Sequence, residues 1–294
     1  ILIMGYAVVK AGLLKASDSR VLSVVMVYLV TPCVIINAFQ IDDTPEIRKG
    51  LLYSMAIAAA IHVVLLVLSA LLSRPLKLDA VEQVNVIYSN AAALVIPLVK
   101  ALMGDAYVIY SCAFIIVQLV LLWTHASSLL QGSSALDWKK VLTNINMIAI
   151  AAGALLYWFR VVLPAPLQNT MSTVGNMMGP MGMLLAGMAI AEKPLREVFC
   201  TRRNYLPTVL RLVVCPLVVL VLLWVCHASS WVADGKNILM TVYLAAITPA
   251  CATVTSMAQL YDRDAAHSSA LYVLTTLLSI VSMPVMIGLF DLLL

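Results

Sequence analysis

Apolar runs of about twenty residues, the length that crosses a bilayer as a helix, recur along the whole of this 294-residue chain. With 63% hydrophobic and only 11% charged residues, a soluble domain is excluded and a polytopic, all-α membrane protein remains. Loop signals divide the sequence into ten apolar segments: up to 13, 20–39, 50–72, 83–103, 106–130, 144–163, 169–191, 205–227, 237–260 and 265–293. They read as five plus five: a first five-helix repeat over 1–130, a cytoplasmic linker over 131–143, and a second repeat over 144–294. The first segment is too short to cross, and it has neither an initiator Met nor a small-residue cleavage site. It reads as a truncated helix with further residues expected upstream.

Proline punctuates four segments in pairs. Pro180 follows Pro32 by 148 residues and Pro249 follows Pro97 by 152, so the halves resemble two copies of one unit. Broken helices at corresponding places in two halves are the best sequence pointer to a transporter's binding site. Cationic loops are retained in the cytoplasm. The odd-numbered connections carry twelve Lys or Arg and the even ones four, Arg48, Lys49, Arg160 and Lys236. Both termini are therefore expected on the non-cytoplasmic side, and the net charge of +4 is this topological bias with no implication of nucleic acid. The six cysteines have neither disulfide nor metal spacing and read as small packing residues.

Of the fourteen carboxylates only Asp291 falls within a segment; the rest lie in connections or at segment ends. Carriers that hold cations on side chains place acids at mid-depth, so a carboxylate-pair cation exchanger is disfavoured and an anion or neutral solute fits better. Uncharged polar residues gather beside the breaks instead: Tyr88, Ser89 and Asn90 before Pro97, and Thr248, Thr253, Thr255 and Ser256 around Pro249. Two broken helices meeting there would turn helix N-termini toward a carboxylate. Lys100 and Arg211 read as snorkelling cations, with anion attraction as the alternative. His62 and His125 read as packing or hydrogen-bonded residues. Gly175-xxx-Gly179 is a close-approach spacing that suits a packed scaffold, a dimer surface or a site. No Walker A loop, HExxH or GxSxG elbow is present, and Ser89 lacks an acid or His at helical spacing, so an enzyme is not expected. No cofactor or metal is implied.

The fourth segment, Ser89-Asn90-Ala-Ala-Ala-Leu-Val-Ile96-Pro97-Leu98-Val99-Lys100-Ala101-Leu102-Met103-Gly104, closely resembles a crossover helix of the auxin efflux carrier family. The ninth resembles that family's second crossover, with Thr248-Pro249 followed by Ala258-Gln259-Leu260-Tyr261. Val30-Thr31-Pro32 and Gly182–Met188 look like its second and seventh helices.

The resemblance implies inverted repeats with crossed broken helices 4 and 9. It also implies scaffold helices 1, 2, 6 and 7, a moving transport domain of helices 3–5 and 8–10, and a homodimer through helices 2 and 7. Carried over residue by residue, it makes Asn90 the contact to a substrate carboxylate and has Pro97 and Pro249 mark the crossing, beside Ser89 and Thr248. It sets Gln118 in the pocket wall. Unlike plant members, the chain lacks a long central loop and has Ser89 where they have Pro. The short build resembles the bacterial branch, with malate or malonate as the usual assignment.

The expectation is therefore a secondary carrier of a small organic anion in a bacterial inner membrane, working by alternating access, with H+ or Na+ coupling open. A sodium-coupled symporter of the bile-acid type and a membrane sensor or channel are the alternatives.

Overall fold

The computed structural model describes residues 1–40, 44–132, 139, 142–143, 145–192 and 195–294. The expected linker 131–143 therefore lies largely outside the described residues. Among the described residues the secondary structure is helical, with one isolated antiparallel bridge between Ser89 and Ala250. Four helical stretches are long and apolar enough to cross a membrane: Pro45–Ser73, Asp105–Gln131, Arg202–Val225 and Ala265–Leu293. The other expected spans appear as shorter or broken helices.

In chain order, α1 is Leu2–Lys10, and α2 (Ser19–Val25) runs through a π-helical turn, Met26–Val30, into α3 (Thr31–Ala38). Then follow α4 (Pro45–Ser73), α5 (Ala80–Ile87), α6 (Ala91–Leu102) and α7 (Val108–Leu121), which passes through the π-helical turn Leu122–Ala126 into α8 (Ser127–Gln131). The second half holds α9 (Ile145–Trp158), α10 (Ala165–Gly175), α11 (Met178–Glu192) and α12 (Leu195–Cys200). Next, α13 (Tyr205–Val209) joins α14 (Cys215–Val225) through the π-helical turn Leu210–Val214. Last come α15 (Gly235–Ile247), α16 (Ala252–Leu260) and α17 (Ala265–Leu293).

Local chemistry fixes several starts. At α4, Pro45 opens the helix where its missing N–H costs nothing, and the Thr44 hydroxyl accepts from Ile47 N at 3.3 Å. Asp79 and Glu82 form a capping box on α5, each side chain accepting the other's backbone N–H at 2.9 Å. Gly104 takes φ +95° between α6 and the following 3-10 turn, a conformation in which any Cβ is strained.

Three of the four prolines do not sit at the breaks expected of them. Pro32 lies within α3, just past the π-helical turn, and its helix continues; the Thr31 hydroxyl donates to Met26 O at 2.8 Å there. The seventh span breaks at Asn176–Met177, ahead of Pro180. In the fourth span the break is Tyr88–Asn90, and Pro97 lies inside α6 two turns later. Only Pro249 falls in its break, where it forces the preceding Thr248 into an extended conformation, ψ 154°.

Packing pairs α1 with α11, and α3 with α9 and α10. Elsewhere α15 packs on α4, α6 and α7, while α17 packs on α5 and α16. Gly175 supplies the close approach of α10 to α3, because a Cβ there would lie 2.8 Å from Val34 Cγ2. The GxxxG spacing thus serves a contact within the chain at its first glycine.

Candidate functional site

The two broken spans meet back to back. Asn90 N donates to Pro249 O at 2.8 Å and Cys251 N donates to Tyr88 O at 3.1 Å, a two-bond antiparallel bridge between the breaks. The arrangement follows from what each break lacks. Interrupting a helix orphans the last carbonyls of one piece and the first N–H groups of the next, and each break supplies part of the other's deficit.

Side chains from neighbouring helices supply more. Gln118 on α7 clamps Ser89: its Oε1 accepts from Ser89 N at 3.1 Å and from Ser89 Oγ at 2.7 Å, and its Nε2 donates to Ser89 O at 2.8 Å. Thr275 on α17 accepts from Ala250 N at 3.2 Å. Each break is thus held by a polar side chain of the span that follows it. The Tyr88 ring reaches the fifth span, its hydroxyl donating to Leu121 O at 3.1 Å and lying 3.0 Å from His125 Nδ1.

The carbonyl ends of α5 and α15 converge on Arg211, which is 1% exposed. Its guanidinium donates to Val86 O, Ile87 O, Ala246 O and Thr248 O at 2.5–3.1 Å. The expectation that Arg211 snorkels is therefore corrected: the carbonyls it needs lie at the helix ends in the two breaks. His62 on α4 matches the packing expectation, with Nδ1 2.7 Å from Ala58 O and its ring against Phe114.

The N-termini of α6 and α16 begin at the two breaks, at Ala91 and Ala252. Asn90 occupies the N-cap position of α6 without capping it, and at 6% exposure its amide has no hydrogen-bond partner among the described residues. Ser89 and Thr248 are fully buried, and Pro249 is buried with them. Farther along α6 a cavity of about 380 Å³ opens between the second, fourth and seventh spans, lined by Val34, Asn37, Lys100, Asp105, Met171 and Gly175 among others. A second space of about 280 Å³ adjoins it at Ile96, Pro97, Lys100 and Asn176.

These spaces bring Pro97 and Lys100 together and stop at Ile96, about 9 Å along the helix from Asn90. Gln118, Ser89, Thr248 and Pro249 belong to the packed crossing instead. Lys100 Nζ lies 2.9 Å from Asp105 Oδ1, so its charge at the cavity mouth is partly answered.

Sequence reasoning missed the role of Arg211 and the clamping geometry of Gln118. The Ser89 hydroxyl donates its hydrogen to Gln118 Oε1 at 2.7 Å, and among the described residues no acid or His accepts it. A comparison with curated proteins finds no match. The family described as membrane transport protein matches residues 1–137 and again 133–287, once in each half. With both halves matched, the chain belongs to the membrane transport protein family, that of the auxin efflux carriers.

Proposed function

We propose that this protein is a secondary transporter that moves a small organic anion, a carboxylate such as malate or malonate or an auxin-like acid, by alternating access. The substrate sits at the crossing of the fourth and ninth spans. One observation carries this reading: two helix N-termini begin at the crossing, beside the Asn90 amide, which has no hydrogen-bond partner among the described residues. Helix N-termini bring partial positive charge and free N–H groups, and an amide can donate two further hydrogen bonds. Ser89 and Thr248 shape the bed, Gln118 holds it, and Pro97 and Lys100 line the approach. A Lys with a carboxylate neighbour attracts anions only weakly.

In this reading helices 3–5 and 8–10 form the moving unit and helices 1, 2, 6 and 7 the scaffold. The packing of α1 on α11 and of α3 on α9 and α10 supports that division. The cavities lie on the seam between the two sets, where movement would open the short blocked stretch from Ile96 to Asn90. A homodimer through helices 2 and 7, termini on the non-cytoplasmic face and residence in a bacterial inner membrane complete the proposal. The test is uptake of radiolabelled mono- and dicarboxylates into proteoliposomes preloaded with the same anion. Counterflow that saturates, and that vanishes in Asn90→Ala, supports the reading; leak-like flux without counterflow contradicts it.

A further inference from the structure

Arg211 uses every donor it has. A guanidinium carries five N–H groups, and the structure gives five contacts: Nε to Thr248 O at 3.1 Å, Nη1 to Val86 O and Ile87 O at 3.1 Å each, and Nη2 to Ala246 O at 2.5 Å and Thr248 O at 2.8 Å. Nothing is left over to hold a ligand directly. Nor does a carboxylate answer its charge: Arg211 is 1% exposed and has no acidic partner among the described residues. A buried, unpaired cation is costly enough that such groups are normally found paired.

The compensation comes from the backbone. All four acceptors belong to the last turns of α5 and α15 or to the residue capping them. A helix C-terminus carries roughly half a negative charge, so two of them together answer about one positive charge. These are also the groups with which discontinuous helices in transporters coordinate a dissolved cation.

We propose that Arg211 is a built-in counter-cation. It takes the place at the two half-helix C-termini that a dissolved cation would otherwise hold, and fastens the fourth and ninth spans into one body. By cancelling the negative ends it leaves the positive ends of α6 and α16 unopposed at the crossing. That consequence rests on the anion reading above; the fastening does not. Arg211 is thus a positioning residue, reached through the eighth span, whose π-helical turn Leu210–Val214 contains it.

The test compares the wild type with Arg211→Lys, Arg211→Met and Arg211→Ala, as purified full-length protein in detergent and choline chloride buffer. The wild-type melting temperature is expected not to respond when choline is exchanged for sodium. Arg211→Met, similar in length but uncharged, should melt lower by roughly 5 °C or more. Millimolar guanidinium chloride, far below denaturing concentration, should raise the melting temperature of Arg211→Ala and not that of the wild type. Arg211→Lys keeps the charge with three donors and should lie between.

A purely packing role would leave the guanidinium and charge responses absent, and Arg211→Met melting with the wild type would overturn the proposal. If the Ala and Met variants do not fold, Arg211→Lys decides: folding with partial stability supports the counter-cation, and failure equal to theirs contradicts it. In proteoliposomes Arg211→Met, where it folds, should bind malonate or a monocarboxylate more weakly than the wild type, and Arg211→Lys, which keeps the charge, should bind between the two. Silence of the wild type toward every carboxylate would remove the anion reading while leaving the melting results to judge Arg211.

Discussion

Asn90 stands where a helix begins, and while its carbonyl accepts from Leu94 N at 3.0 Å, its side chain does not cap that helix. An uncommitted amide at a buried helix N-terminus gives a sharp expectation: Asn90→Ala abolishes anion binding and leaves a folded protein, because the change removes hydrogen bonds without opening a large cavity. Binding by scintillation proximity, with melting temperature alongside, checks both halves. Lys100→Ala should weaken the apparent affinity only a few-fold, because Asp105 already answers its charge at 2.9 Å and a screened, exposed charge acts weakly. A complete loss would move Lys100 into the binding site proper. Concentration dependence of the same signal distinguishes the two.

Among elements, the decisive ones are the breaks. Gln118→Leu strips Ser89 of both its backbone partners at once. With about 1–3 kcal/mol for each buried group left unpaired, a loss on the order of 3 kcal/mol is expected, read as a drop in melting temperature with transport falling in parallel. At the far end of α5, one residue before the expected fourth span, Glu82 is 2% exposed. Burial would raise its pKa. Arg203, with Nε 2.7 Å from Oε1, the Asp79 N–H and His267 outweigh this and hold the carboxyl below its ordinary 4.5. The unfolded chain then takes up this proton more readily than the folded one, so the stabilisation is complete above about pH 4.5 and fades as pH falls through the lower folded value. Melting temperature should decline with acidification below that point, and Glu82→Gln should remove this part of the decline.

The same elements show what the sequence could and could not tell. Pro249 announces its break because proline acts on its own neighbours. The break at Tyr88–Asn90 holds no proline, and what secures it is Gln118, 29 residues onward, together with a bridge to the other half. Arg211 was illegible for a related reason: its partners are backbone carbonyls, which every residue owns and no pattern marks.

For the molecule as a whole, the halves are joined at their weakest points. Each broken span is completed by the other, by Arg211, and by the span that follows it, so the crossing behaves as one packed unit while the space along α6 remains open toward Lys100. In the proposed reading this unit faces a scaffold across that space, which suits a carrier better than a pore. The most direct test is charge movement in proteoliposomes on rapid addition of mono- and dicarboxylates, with wild type and Asn90→Ala side by side and sodium and pH varied separately. A saturable signal for at least one anion is expected in the wild type and none in the variant. A saturable signal of equal size and affinity in Asn90→Ala would contradict this expectation.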